Sequence, residues 1–152
     1  MSKRSAGIFA ILIAAVVLGA LREFLFLNLN YEIDHVENHR AVSYAHSMFR
    51  AAVDGFSLRT LLGLKWALAV FFIGLTLGLS ILLARILFGD QRYRNLLVIG
   101  FLVIGAIAFL LHACASIHPA FDLVSVKLLH MLQFPIVLFF LWAAALLQRK
   151  AA

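Results

Sequence analysis

Four stretches of this chain, around residues 6–21, 61–84, 96–111 and 128–147, are apolar on every face and contain between them a single residue of full charge, Lys65. Each is close to the roughly 17–25 residues that a helix needs to cross about 30 Å of hydrocarbon. They lack the period-two alternation of a lipid-facing barrel strand, so helices are the spanning elements that satisfy their own backbone groups. A chain of 152 residues that is 64% hydrophobic, with mean hydropathy +1.03, has more apolar surface than one soluble core can hide. The expected fold class is therefore all-α: one domain over 1–152, an integral membrane four-helix bundle with helices near 6–27, 58–88, 95–117 and 124–148. Lys3 and Arg4 before the first apolar run could open a signal peptide, but an uncleaved first helix is the simpler reading.

Alternating helices put Lys3, Arg4, Arg85, Arg92, Arg94, Arg149 and Lys150 on one side with Asp90 as the only acid, a formal +6. The other side balances Arg22, Arg40, Arg50, Arg59, Lys65 and Lys127 against Glu23, Glu32, Asp34, Glu37, Asp54 and Asp122. Basic residues flanking short loops stay cytoplasmic during insertion, so both termini are expected inside, in a plasma or inner membrane. The basic excess is juxtamembrane. Lipid headgroups, not nucleic acid, are its expected partner.

The first loop is the only long one. Asn30 as a cap, Glu32 and Asp34 in a first turn and Gly55 as a stop predict an extracytoplasmic helix over 31–54, with Ser57 restarting the chain as the next helix. In that helix Val42, Ala45, Met48, Phe49, Ala52 and Val53 share one apolar face, and Val42, Met48, Phe49 and Val53 are the expected interaction face.

All six histidines map to the outer half. His35, His39 and His46 would form a stripe on the loop helix, and His35 and His39, four apart, are a candidate metal pair needing a third ligand from Glu32, His118 or Asp122. His112 and His130 are nine residues either side of Phe121, so a hairpin turning there would set them at similar depth. With Gln133 they are the candidate cofactor site, for haem or a quinone carbonyl, against the plainer reading that they satisfy one another or meet headgroup water. Arg22, Glu23 and Lys65 are expected near the outer boundary, reaching for headgroups or pairing between the first two helices, which leaves the membrane midplane without ionisable residues. Trp66 and Trp142 read as interfacial anchors.

Gly74 and Gly78 in the second helix are a small-residue packing motif for a helix of this chain or of a neighbouring subunit. Pro135 should kink the fourth helix. No nucleophile with an adjacent base, phosphate-cradling loop or cysteine-rich motif stands out, and no catalytic residue is expected. The expected function is that of a small non-catalytic accessory or scaffold subunit, binding a membrane protein or another copy of itself and most simply without a cofactor. The alternative is a haem-, quinone- or metal-binding redox protein using the outer histidines. Reporters fused after Ala152 and within 89–94 are expected to read cytoplasmic, and one inserted at Gly55 extracytoplasmic; a cytoplasmic signal from Gly55 would invert the charge argument.

Overall fold

The computed structural model describes residues 3–151, and the side chains of residues 4–147. The side chains of Lys3, Arg149 and Lys150, which contribute to the basic side, lie outside the described residues. Six helices follow one another: α1 (Lys3–Glu37), α2 (Ser47–Val53), α3 (Leu58–Phe88), α4 (Gln91–Ala113), α5 (Pro119–Gln133) and α6 (Ile136–Ala151). Among the described residues no strand occurs. Three helices, α1, α3 and α4, are long and apolar enough to cross a membrane, and a fourth span exists if α5 and α6 are taken together.

The helix expected over 31–54 does not form as one unit. Instead α1 continues to Glu37, because Asn28, Leu29, Glu32 and Ile33 repeat at helical spacing and all are buried. Its 35 residues extend about 52 Å at ~1.5 Å per residue. The helix ends where His39 adopts a left-handed φ of 48° and the Arg40 N–H donates back to the His35 carbonyl at 3.0 Å, the pattern of a Schellman stop. Asp34 serves this end, not a first turn: its carboxylate takes both Arg40 Nε at 2.7 Å and Arg40 Nη2 at 3.0 Å.

Residues 38–46 then form a strap that turns back along α1. Ser43 Oγ donates to Glu32 at 2.6 Å, and the Asn28 side chain accepts from the His46 N–H. The strap delivers α2, whose Phe49 and Val53 pack with Leu29, Ile33 and Leu61. Gly55 at φ 74° closes the turn and Ser57 caps α3 by accepting from the Thr60 N–H, both as the sequence predicts.

Helix α3 is the hub, touching α1, α4, α5 and α6. At the end of the bundle holding the α3–α4 turn, Arg4 donates to the Ile86 and Leu87 carbonyls, and Ile11 and Ala15 pack with Leu83, Leu87, Leu138 and Ala145. Midway, Leu18 and Phe26 meet Ala69 and Phe72.

The expected kink at Pro135 is a full break: α5 and α6 meet at 57°. Pro135 cannot donate to Met131, and the carbonyls of the last turn of α5 need donors from elsewhere. Thr76 Oγ1 supplies one to Gln133 O at 3.2 Å, and the Pro135 ring packs beside Gly19 of α1. Beyond the break α6 lies against α3 and α1, whereas α5 leans on α4 and α3. Phe49 is 9% exposed and Met48 77%, although both belong to the face expected from sequence. Phe49→Ala should therefore cost about 3 kcal/mol or more, and Met48→Ala less than about 0.5 kcal/mol, in equilibrium unfolding in detergent. Equal costs would show that α2 is not seated on α1 and α3.

Candidate functional site

The divergence of α5 from α1 opens a pocket of about 340 Å³ over α3. Helix α5 contributes Asp122, Ser125, Val126, Leu129, His130 and Gln133, which recur at three- and four-residue spacing and so form one face. Helix α3 contributes Leu62, Lys65, Trp66 and Ala69 by the same periodicity, and Phe26 and His112 close the sides. The walls are mixed: aromatic and aliphatic surface interrupted by polar groups, with Leu62, Trp66 and Val126 exposed at its rim.

Gln133 forms its floor and is held by Arg22, which is not itself a lining residue. Arg22 is 2% exposed; its Nε and Nη2 donate to Gln133 Oε1 at 3.1 and 2.8 Å, and its Nη1 pairs with Glu23 at 3.0 Å. The rings of Phe26 and Phe134 lie 4.5 and 4.7 Å from the guanidinium carbon, a cation–π sandwich. The expectation that Arg22 reaches for headgroups is thus overturned. The charge is turned inward to the α5–α6 break, and its ion pair is with its neighbour in α1, not with α3. Because a guanidinium only donates, it holds the oxygen of the Gln133 amide, and what Gln133 offers elsewhere is the amide NH2.

At the mouth, His112 Nδ1 is 2.9 Å from Asp122 Oδ1. An ionised carboxylate only accepts, so Nδ1 is the donor in this bond. The edge of Trp66 packs against this imidazole, ring centroids 5.5 Å apart. Asp122 occupies the first turn of α5, where the helix dipole favours its charge. Ser125 Oγ is committed to the Ala108 carbonyl at 2.7 Å. Lys65 is half-buried and has no carboxylate within 4.0 Å among the described residues.

The three residues singled out for a cofactor, His112, His130 and Gln133, do line one pocket. Their expected geometry is corrected. His118 caps α5, so the hairpin turns at 114–118 and not around Phe121. His112 is level with its partner Asp122, and His130 is eight residues further along α5, about 12 Å deeper at ~1.5 Å per residue. Two imidazoles at such different levels do not make the opposed pair that a haem iron requires.

The candidate metal pair is His35 and His39. His39 lies beyond the end of α1, so His35 and His39 are not neighbours on one helix face, and His46 caps α2 with its Nδ1 accepting from the Met48 N–H. The third ligands considered are engaged elsewhere: Glu32 with Ser43, Asp122 with His112, and His118 with the Ala120 N–H. No group of three His, Cys, Asp or Glu side chains suited to a metal ion occurs among the described residues.

Of the expected interaction face, Phe49 and Val53 are buried while Val42 and Met48 are 62% and 77% exposed. Gly74 and Gly78 face outward from α3: a Cβ added at either would meet no described atom within 4 Å, so the motif has no partner helix inside the chain.

Sequence reasoning found His112, His130 and Gln133 but missed the rest of the α5 stripe and the α3 wall, because it assigned Lys65 to the headgroups. The signal was present in Asp122, Ser125, Leu129, His130 and Gln133, a polar stripe with helical spacing, and in Lys65 one turn from Ala69. No protein-family model matches this chain, and no curated protein or solved structure is significantly similar to it. Removing the Arg22 side chain leaves the buried Gln133 oxygen without its donors, and Arg22→Ala should cost about 1–3 kcal/mol in unfolding from mixed micelles. The Arg22→Leu, Gln133→Leu double variant should lose less than the sum of the two singles, since the two share one interaction. Strict additivity would sever the dependence of the floor on this pair.

Proposed function

We propose that this chain is a small non-catalytic membrane protein that holds an amphipathic molecule, drawn from the bilayer, in the pocket between α1, α3 and α5. The observation supporting the reading is that one pocket combines an apolar rim with a floor of fixed polarity, the common form of sites for small ligands. A head with acceptor oxygens, such as a quinone carbonyl or a carboxylate, suits the Gln133 amide NH2 and the ring N–H of His130. The binding groups hold and orient. None forms a nucleophile with its base. The basic excess near the α3–α4 turn supports an orientation with that turn and both termini in the cytoplasm, which places the mouth of the pocket toward the extracytoplasmic leaflet.

A second reading, an accessory subunit within a larger membrane assembly or a homo-oligomer, is favoured by the outward-facing Gly74 and Gly78, because small residues let a neighbouring helix approach closely. Tryptophan fluorescence separates the two. In a Trp142→Phe background Trp66 is the only tryptophan, and a short-chain quinone or a brominated amphipath should quench it saturably. Val126→Phe, which enlarges an exposed side chain at the pocket's rim, should weaken that saturable quenching while the protein still unfolds cooperatively. If quenching never saturates, and Gly74→Leu instead releases the protein from a larger native complex, the accessory reading replaces the ligand-binding one.

A further inference from the structure

We propose that the pocket selects a single-chain amphipath with a carboxylate head, with Lys65 as its counter-ion and the Gln133 amide as its second donor. This rests on the ligand-binding reading above and names the chemical class of the ligand.

The inference begins with charges that are already committed. Glu23 is paired with Arg22 at 3.0 Å and Asp122 with His112 at 2.9 Å. Both acidic groups nearest the site are therefore engaged, and the half-buried Lys65 ammonium has no acidic partner within 4.0 Å among the described residues. A cation held beside Leu62, Trp66, Ala69 and Leu129 is poorly solvated, so an anion brought to it gains more than it would in water.

The hydrogen-bonding capacity of the pocket points the same way. Gln133 is 2% exposed and lines the pocket, and its oxygen is locked by two Arg22 donors. Its NH2 group makes no hydrogen bond among the described residues, so Arg22 in effect sets a buried glutamine to act as a donor. The one hydroxyl, that of Ser125, is used on the Ala108 carbonyl. His130, between Lys65 and Gln133 in the lining, has neither ring nitrogen bonded among the described residues and can donate from its neutral form. The set is rich in donors and includes an ammonium with no carboxylate in contact with it among the described residues, which matches a carboxylate better than a neutral dione or an alcohol.

Size limits the ligand further. A volume of about 340 Å³ is at the small end of ligand pockets, room for one head and part of one chain.

Full-length protein carrying Trp142→Phe would be titrated in neutral detergent with brominated stearate, the matching brominated alcohol, a brominated alkyl phosphate and a short-chain quinone, reading Trp66 quenching. The carboxylate is expected to saturate with an affinity at least about tenfold tighter than the alcohol or quinone. Lys65→Met should bring the carboxylate to the level of the alcohol and leave the alcohol unchanged. Gln133→Glu retains an acceptor for Arg22 but replaces the donor with a negative charge; it should weaken carboxylate binding by more than Lys65→Met does. Thermal unfolding of each variant checks that the fold is intact. Equal binding of acid and alcohol, or a Lys65→Met variant with undiminished preference for the acid, would overturn the head-group assignment while leaving the pocket reading in place. Tighter binding of the phosphate than of the carboxylate would overturn it in favour of a phosphate head. The absence of saturable quenching by every probe would overturn the pocket reading itself.

Discussion

A guanidinium turned away from water must be matched almost completely, and the rest of this structure depends on how Arg22 is matched. Its hydrogen bonds reach from α1 to the last residue of α5, its charge is balanced by Glu23, and two aromatic faces enclose it. That arrangement needs Gln133 at a helix end, and the helix end exists because Pro135 follows two residues later. Thr76 of the hub helix donates to the Gln133 carbonyl freed at the break. Arg22, Gln133, Pro135 and Thr76 thus form a single interdependent joint linking three segments of chain.

The joint also explains why the bundle opens on one side. A 57° bend keeps α6 on α1 and α3 but carries α5 over to α4, where Ser125 and Asp122 find partners. The space left over α3 is the pocket. Its floor and its mouth are both held by side-chain hydrogen bonds, Arg22 to Gln133 and His112 to Asp122, so its polar geometry is preorganised and not dependent on a ligand arriving.

The histidines take structural tasks that sequence spacing does not reveal. His46 and His118 are helix caps, each accepting from a backbone N–H through Nδ1, a role usually filled by serine, threonine, asparagine or aspartate. His39 supplies the left-handed residue that ends α1, and His112 orients toward Asp122. The bias of histidine toward one half of the molecule reflects the loops, caps and helix ends that accumulate there. His130 keeps both ring nitrogens without a partner among the described residues, and it lies in the pocket wall.

The sequence alone determined the helical class, the number and approximate place of the apolar segments, the Ser57 cap, the stop at Gly55 and the bending of the chain at Pro135. Each follows from a local cause: uniform apolarity in a segment of membrane-crossing length, a side-chain oxygen at a helix start, a residue that favours positive φ, and a missing N–H. His112, His130 and Gln133 were legible as a group because they border one hairpin, although their depth was not, since one turn of error in placing a loop shifts facing residues by about 5.4 Å. The tertiary structure decided what local rules cannot reach. Whether Arg22 turns outward or inward depends on finding Gln133, 111 positions away, and the choice between helices over 3–37 and 31–54 was settled by Glu32 and Asn28 bonding to the returning strap. The pocket belongs wholly to that second category, because no single segment contains it: it exists only where three helices, each ordinary by itself, diverge around a shared joint.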